Sequence, residues 1–160
     1  MSRFLIVVVN RALARFFTLE PAEFPEVESS PRITACFELE NPDLTEGQEI
    51  FSDSKTGRGA APQGGGVHGY DDKRDQHLDE FRRRFATKVF AQIQALAKEK
   101  NSHSIIVVSS ARMRRFLYPE LDKLNRWGYQ IHKLSKNMIN FSPQKIHEYL
   151  TQAKLVPKQK

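Results

Sequence analysis

Gly57, Gly59, Gly64, Gly65, Gly66 and Gly69 crowd into one polar stretch of the chain, and His68 lies just beyond the triplet. Glycine lets bare backbone approach a crowded group and aim amide N–H donors at it. An imidazole that titrates near neutral pH adds an acid, a base or a phosphate contact. The stretch is not a P-loop: Gly59 and Gly64 have the spacing, but Gly65 and Gly66 stand where a Lys and a Ser or Thr would meet phosphate and metal. No Rossmann fingerprint is expected either, because the pattern places no strand directly before these glycines and no helix directly after. A loop in which His68 only hydrogen-bonds its own turn fits the same residues. The candidate catalytic positions are Gly64, Gly65, Gly66 and His68.

Other chemistry has less support. Cys36 is the only cysteine, which removes intramolecular disulfides and thiolate zinc clusters. The remaining histidines, His77, His103, His132 and His147, make no zinc-protease pair, and Ser109, Ser110 and Ser135 lack a nucleophile elbow. A two-metal nuclease needs carboxylates converging from strands and a helix, yet Phe4 to Val9 and Ser104 to Ser109 contain none, leaving Asp79 and Glu80 alone. No metal and no cofactor is expected. The densest cations are Arg82, Arg83 and Arg84, then Arg112, Arg114 and Arg115. With Arg58, Lys73 and Arg74 they read either as solvated helix faces or as an RNA or phosphate contact surface.

The net charge of +6 hides a polarity along the chain. Residues 1–80 carry 8 basic and 15 acidic side chains, whereas residues 81–160 carry 17 and 4. An anionic partner such as nucleic acid, a phospholipid face or an acidic protein fits the second half. The length of 160 residues suits one domain, and 11 Phe supply bulky core material. The apolar run Phe4 to Val9 is too short for a signal peptide, and no stretch reaches the roughly 18 apolar residues that span a bilayer, so a soluble, cytoplasmic protein is expected.

The elements that must position these residues follow from periodicity. Phe4 to Val9 and Ser104 to Ser109 are continuously apolar and β-branched, as central strands covered on both faces are. Ala14 to Leu19 and Ile33 to Leu39 read as strands, and 40–75 as a long Gly-rich loop. Asp75 is the expected N-cap of a helix whose Leu78, Phe81, Phe85, Val89, Ile93 and Leu96 recur at three- and four-residue spacing. Ala111 to Tyr118 reads as one helical segment, and Pro119 opens another that ends at Trp127 before Gly128. Tyr129 to Leu134 is a further strand, and Ser142-Pro143 starts a last helix. The expected fold is α/β, a mixed five-stranded sheet in the order β-β-β-α-β-α-β-α with helices on both faces. That succession is found in ribonuclease H-like folds, where the second strand runs against the others. One domain would span 1–155, followed by a basic tail at 156–160.

Several segments in order carry a resemblance. They are Asn10-Arg11-Ala12-Leu13-Ala14-Arg15-Phe16-Phe17, Phe37-Glu38-Leu39-Glu40-Asn41-Pro42, Ser52-Asp53-Ser54-Lys55-Thr56-Gly57-Arg58, the Gly-rich stretch with His68, Asp75-Gln76-His77, and Leu134-Ser135-Lys136-Asn137-Met138-Ile139-Asn140-Phe141-Ser142-Pro143. Together they resemble the bacterial host attachment proteins, over nearly the whole chain. That family is in turn similar to the middle domain of archaeal and eukaryotic peptide-chain release factors, a ribonuclease H-like domain. There, a Gly-Gly-Gln tip between the third strand and the long helix promotes hydrolysis of the peptidyl-tRNA ester in the ribosome. Gly64-Gly65-Gly66 occupies the corresponding place, with Gly66 where those factors carry Gln and with Gln63 before the glycines. The resemblance implies a release-factor-like protein acting at the ribosome or on tRNA, as an ester hydrolase or toxin. The alternative it implies is a non-catalytic interaction protein in attachment to host cells or envelope physiology.

Overall fold

The computed structural model describes residues 3–20, 31–42 and 64–156, with backbone alone over 64–77. Eight elements follow one another: β1 (Phe4–Val9), β2 (Leu13–Glu20), β3 (Arg32–Glu40), α1 (Gly64–Glu99), β4 (Ser104–Ser109), α2 (Ala111–Arg126), β5 (Gln130–Ser135) and α3 (Pro143–Gln152). They form one mixed five-stranded sheet in the spatial order β3-β2-β1-β4-β5. β1 pairs antiparallel with β2 and parallel with β4, and β5 extends the parallel half. The expected element order, mixed sheet and helices on both faces are therefore present.

The two central strands lie where their sequences demand. Leu5 to Val9 of β1 and Ile105 to Val108 of β4 are fully or almost fully buried. A strand covered on both faces needs apolar side chains at successive positions, not at alternate ones. Leu5, Val7, Val9, Ile105 and Val107 face one layer, built from Phe85, Val89 and Ile93 of α1 and Met113, Leu117, Leu121 and Leu124 of α2. Ile6, Val8, Ile106 and Val108 face the other, where Ile146 and Leu150 of α3 pack with Met138 and Ile139. The β1–β2 turn is closed by Asn10, whose Oδ1 accepts from the backbone N–H of Ala12 at 2.9 Å and Leu13 at 2.7 Å.

Helix ends obey local chemistry where it was readable. Ser142 caps α3, its Oγ accepting from the Lys145 N–H at 3.1 Å, with Pro143 next. Gly128 follows α2 with φ 95°, a conformation that favours glycine, and Asn101 ends α1 with φ 52°.

Two expectations are overturned. The long helix does not begin at Asp75: α1 starts at Gly64, so 64–75 is helix and only 43–63 of the expected loop falls outside the described residues. A helix already nucleated against the sheet gains one hydrogen bond for each residue added, and a glycine costs only about 1 kcal/mol relative to alanine, so glycines do not stop propagation. Pro119 does not open a separate segment either, because α2 runs unbroken through it. The apolar row Met113, Leu117, Leu121, Leu124 continues across the proline on the buried side, and Pro119 itself is exposed. That continuous burial offsets the roughly 3 kcal/mol that an interior proline costs.

Candidate nucleic-acid interface

α1 and α2 lie on the same face of the sheet, so their outward sides form one surface. From Leu78 to Glu99 and from Ala111 to Arg126 that layer carries ten Lys and Arg against five Asp and Glu. The helical periodicity that buries Phe85, Val89 and Leu121 turns nine of these ten cations outward, Arg82 being the exception.

Asp79 is the junction of the two helices. It accepts from Arg82 Nη1 at 2.8 Å within α1 and from Arg115 Nη2 of α2. Arg82 is buried, so its aliphatic stem is part of the packing and its charge is matched in place. Arg83 pairs with Glu80 at 2.8 Å, and Arg84 reaches the same carboxylate at 3.3 Å. Arg83 and Arg115 also lie over the Phe116 ring, at 5.6 and 4.6 Å from its centroid. Arg114 Nη1 donates to Ser135 Oγ at 3.4 Å, which ties α2 to the end of β5. Arg112 is exposed and pairs with no acid among the described residues.

Of the cations expected to form a contact surface, Arg82, Arg83, Arg112, Arg114 and Arg115 stand on this two-helix layer, unequally engaged. Arg82, Arg83 and Arg115 are engaged in holding the helices, whereas Arg112 is available to an anion. Lys73 and Arg74 stand on the backbone of α1, and Arg58 lies outside the described residues. Gly64, Gly65 and Gly66 form the first turn of α1 and His68 the next, in helix and not in a loop. The first N–H groups of any α-helix have no acceptor within it.

Burial pushes the Cys36 thiol up, with Lys100 pulling the other way, and burial likewise raises the Tyr118 phenol against Arg114. Ser109 is buried and its Oγ donates to the Ser110 carbonyl at 3.0 Å. Among the described residues no group of three or more His, Cys, Asp or Glu is placed to hold a metal, and no helix is long and apolar enough to cross a membrane.

Sequence reasoning missed the far end of the layer. Trp127, just beyond α2, is 56% exposed and lies against Phe90 of α1, with ring centroids 6.3 Å apart. Lys123 Nζ sits 5.9 Å from the Phe90 centroid. A lone Trp beside a helix-ending glycine was the available signal, but its contact with Phe90 comes from helix packing.

Fold and surface together define an α/β protein with a mixed sheet, covered on both faces, and a cationic two-helix layer. The chain belongs to the family described as protein required for attachment to host cells, which matches residues 5–150. No curated protein matches it. Among solved structures it is similar to an archaeal translation termination factor, at 16% identity and TM-score 0.47, over 96% of this chain and 35% of that one. It is also similar to the type II variant of the Aquifex aeolicus Ppx/GppA phosphatase, at 12% identity and TM-score 0.43, over 84% of this chain and 36% of that one. The chain thus spans about a third of the length of the solved chains it matches.

Proposed function

We propose that this chain is an RNA-binding, release-factor-like protein of the cytoplasm, acting at the ribosome or on peptidyl-tRNA through the α1–α2 layer. The observation that carries the reading is the excess of cations on that layer, ten against five acids, with Arg112 unpaired among the described residues. A polyanion displaces counterions from such a surface, and this supplies sequence-independent affinity that falls steeply with salt. The glycines at the head of α1 are the part that the proposal directs at the peptidyl-tRNA ester, through the N–H groups of the first helical turn, which have no acceptor within the helix.

Sedimentation with ribosomes tests the reading. Binding is expected at low ionic strength, lost progressively as salt rises, and weakened by Arg112→Glu. Incubation with peptidyl-tRNA beside a variant with Gly64, Gly65 and Gly66 all changed to Ala then reports on hydrolysis. A protein that binds neither ribosomes nor tRNA at low salt would refute the proposal. The second reading, a non-catalytic interaction protein, is favoured by Phe37, which is 42% exposed on the edge strand β3.

A further inference from the structure

The chain has a single tryptophan, and the fold leaves it in water. Trp127 occupies the C-cap of α2, where its backbone N–H donates to the Leu124 carbonyl at 3.0 Å and the Gly128 N–H to that of Asn125 at 3.2 Å, so the backbone needs no indole there. The side chain is 56% exposed, yet it is not loose on the surface: Phe90 lies beside it, the two rings inclined at 50°. An exposed indole beside a second ring offers a partner an apolar face with a polar N–H at its edge. Arg126, next to it, is exposed and has no acid partner among the described residues, and Lys123 one turn back is shared with Glu120 at 2.9 Å.

We infer that Trp127 is a base-stacking contact for single-stranded RNA, with the flanking phosphates met by Arg126 and Lys123. The inference rests on the RNA-binding reading above and specifies the form of RNA. An exposed indole with a supporting ring and adjacent cations is the combination that takes an unpaired nucleotide: the π-face stacks on the base, and the charges hold the backbone. A duplex keeps its base faces stacked on each other and presents phosphates, 2′-hydroxyls and base edges, so it engages the cations but not the ring.

Trp127 is its own reporter, since all tryptophan emission from the chain arises there. The native protein is titrated at low salt with a single-stranded RNA oligonucleotide and with a duplex of the same length, following emission and, separately, binding by anisotropy of labelled RNA. The expected result is quenching by the single strand and none by the duplex, and about tenfold weaker single-strand binding for Trp127→Ala. Trp127→Phe should keep most of that affinity, which separates stacking from damage to the helix end. Single-strand binding without quenching, or with Trp127→Ala unaffected, overturns the stacking contact and leaves RNA binding standing. Equal quenching by the duplex also overturns it, as does a concentration-dependent blue shift without RNA, which would mean that a second copy covers the indole. Absence of any RNA binding removes the RNA-binding reading itself and the stacking contact with it.

Discussion

Arg15, on the face of β2 that α3 covers, holds the connection between β5 and α3. Its Nη1 donates to the carbonyl oxygens of Ile139 at 2.9 Å and Phe141 at 2.8 Å. The guanidinium also lies 4.9 Å from the Phe17 ring centroid, and its Nε approaches Glu38 at 3.6 Å. Charge-assisted bonds to partly buried carbonyls leave those carbonyls unsatisfied when the donor is removed. Arg15→Ala is expected to lower stability by about 1–3 kcal/mol, read as a lower urea midpoint at an unchanged slope. A midpoint shift worth less than about 0.5 kcal/mol would show that water replaces the guanidinium without cost. Arg15 sits in a segment whose order along the chain suggested the family, but nothing local to it announces two carbonyls more than a hundred residues away.

At the scale of elements, α2 is a helix that tertiary packing keeps whole. Pro119 has no N–H to give to the carbonyl of Arg115 and its ring crowds the preceding turn. The helix continues because Met113, Leu117, Leu121 and Leu124 lie fully buried against α1 and the sheet. Pro119→Ala should therefore restore one helical hydrogen bond without touching the core, raising stability by about 1–3 kcal/mol. A higher melting temperature in circular dichroism checks this, and a lower one would mean that the proline matches a bend the packing requires. The sequence pattern read Pro119 as the start of a new segment, since proline is a strong local punctuator and the buried row on its far side is invisible to a rule about neighbours. The start of α1 at Gly64 has the same origin, as propagation from a nucleated helix overrode a run of poor helix formers.

For the whole molecule, the acidic first half and the basic second half are woven together. β1 from the first pairs in parallel register with β4 from the second, Phe4 beside Ser104 through Val9 beside Ser109. Each half thus contributes a central strand to both core layers. One cooperative transition is expected: Trp127 emission and far-ultraviolet circular dichroism should follow the same urea curve. Two separated curves would show that the helical layer unfolds apart from the β1–β2–β3 meander. By itself, the sequence determined the central strands, the capped start of α3 at Ser142 and the glycine after α2, because each is dictated by burial or backbone chemistry within a few residues. Tertiary structure alone decided which cations are engaged, with Asp79 bridging Arg82 and Arg115 across two helices while Arg112 pairs with no acid among the described residues. It alone also set Trp127 beside Phe90, because the contact depends on how α1 and α2 pack, and no spacing along the chain encodes a distance between two helices.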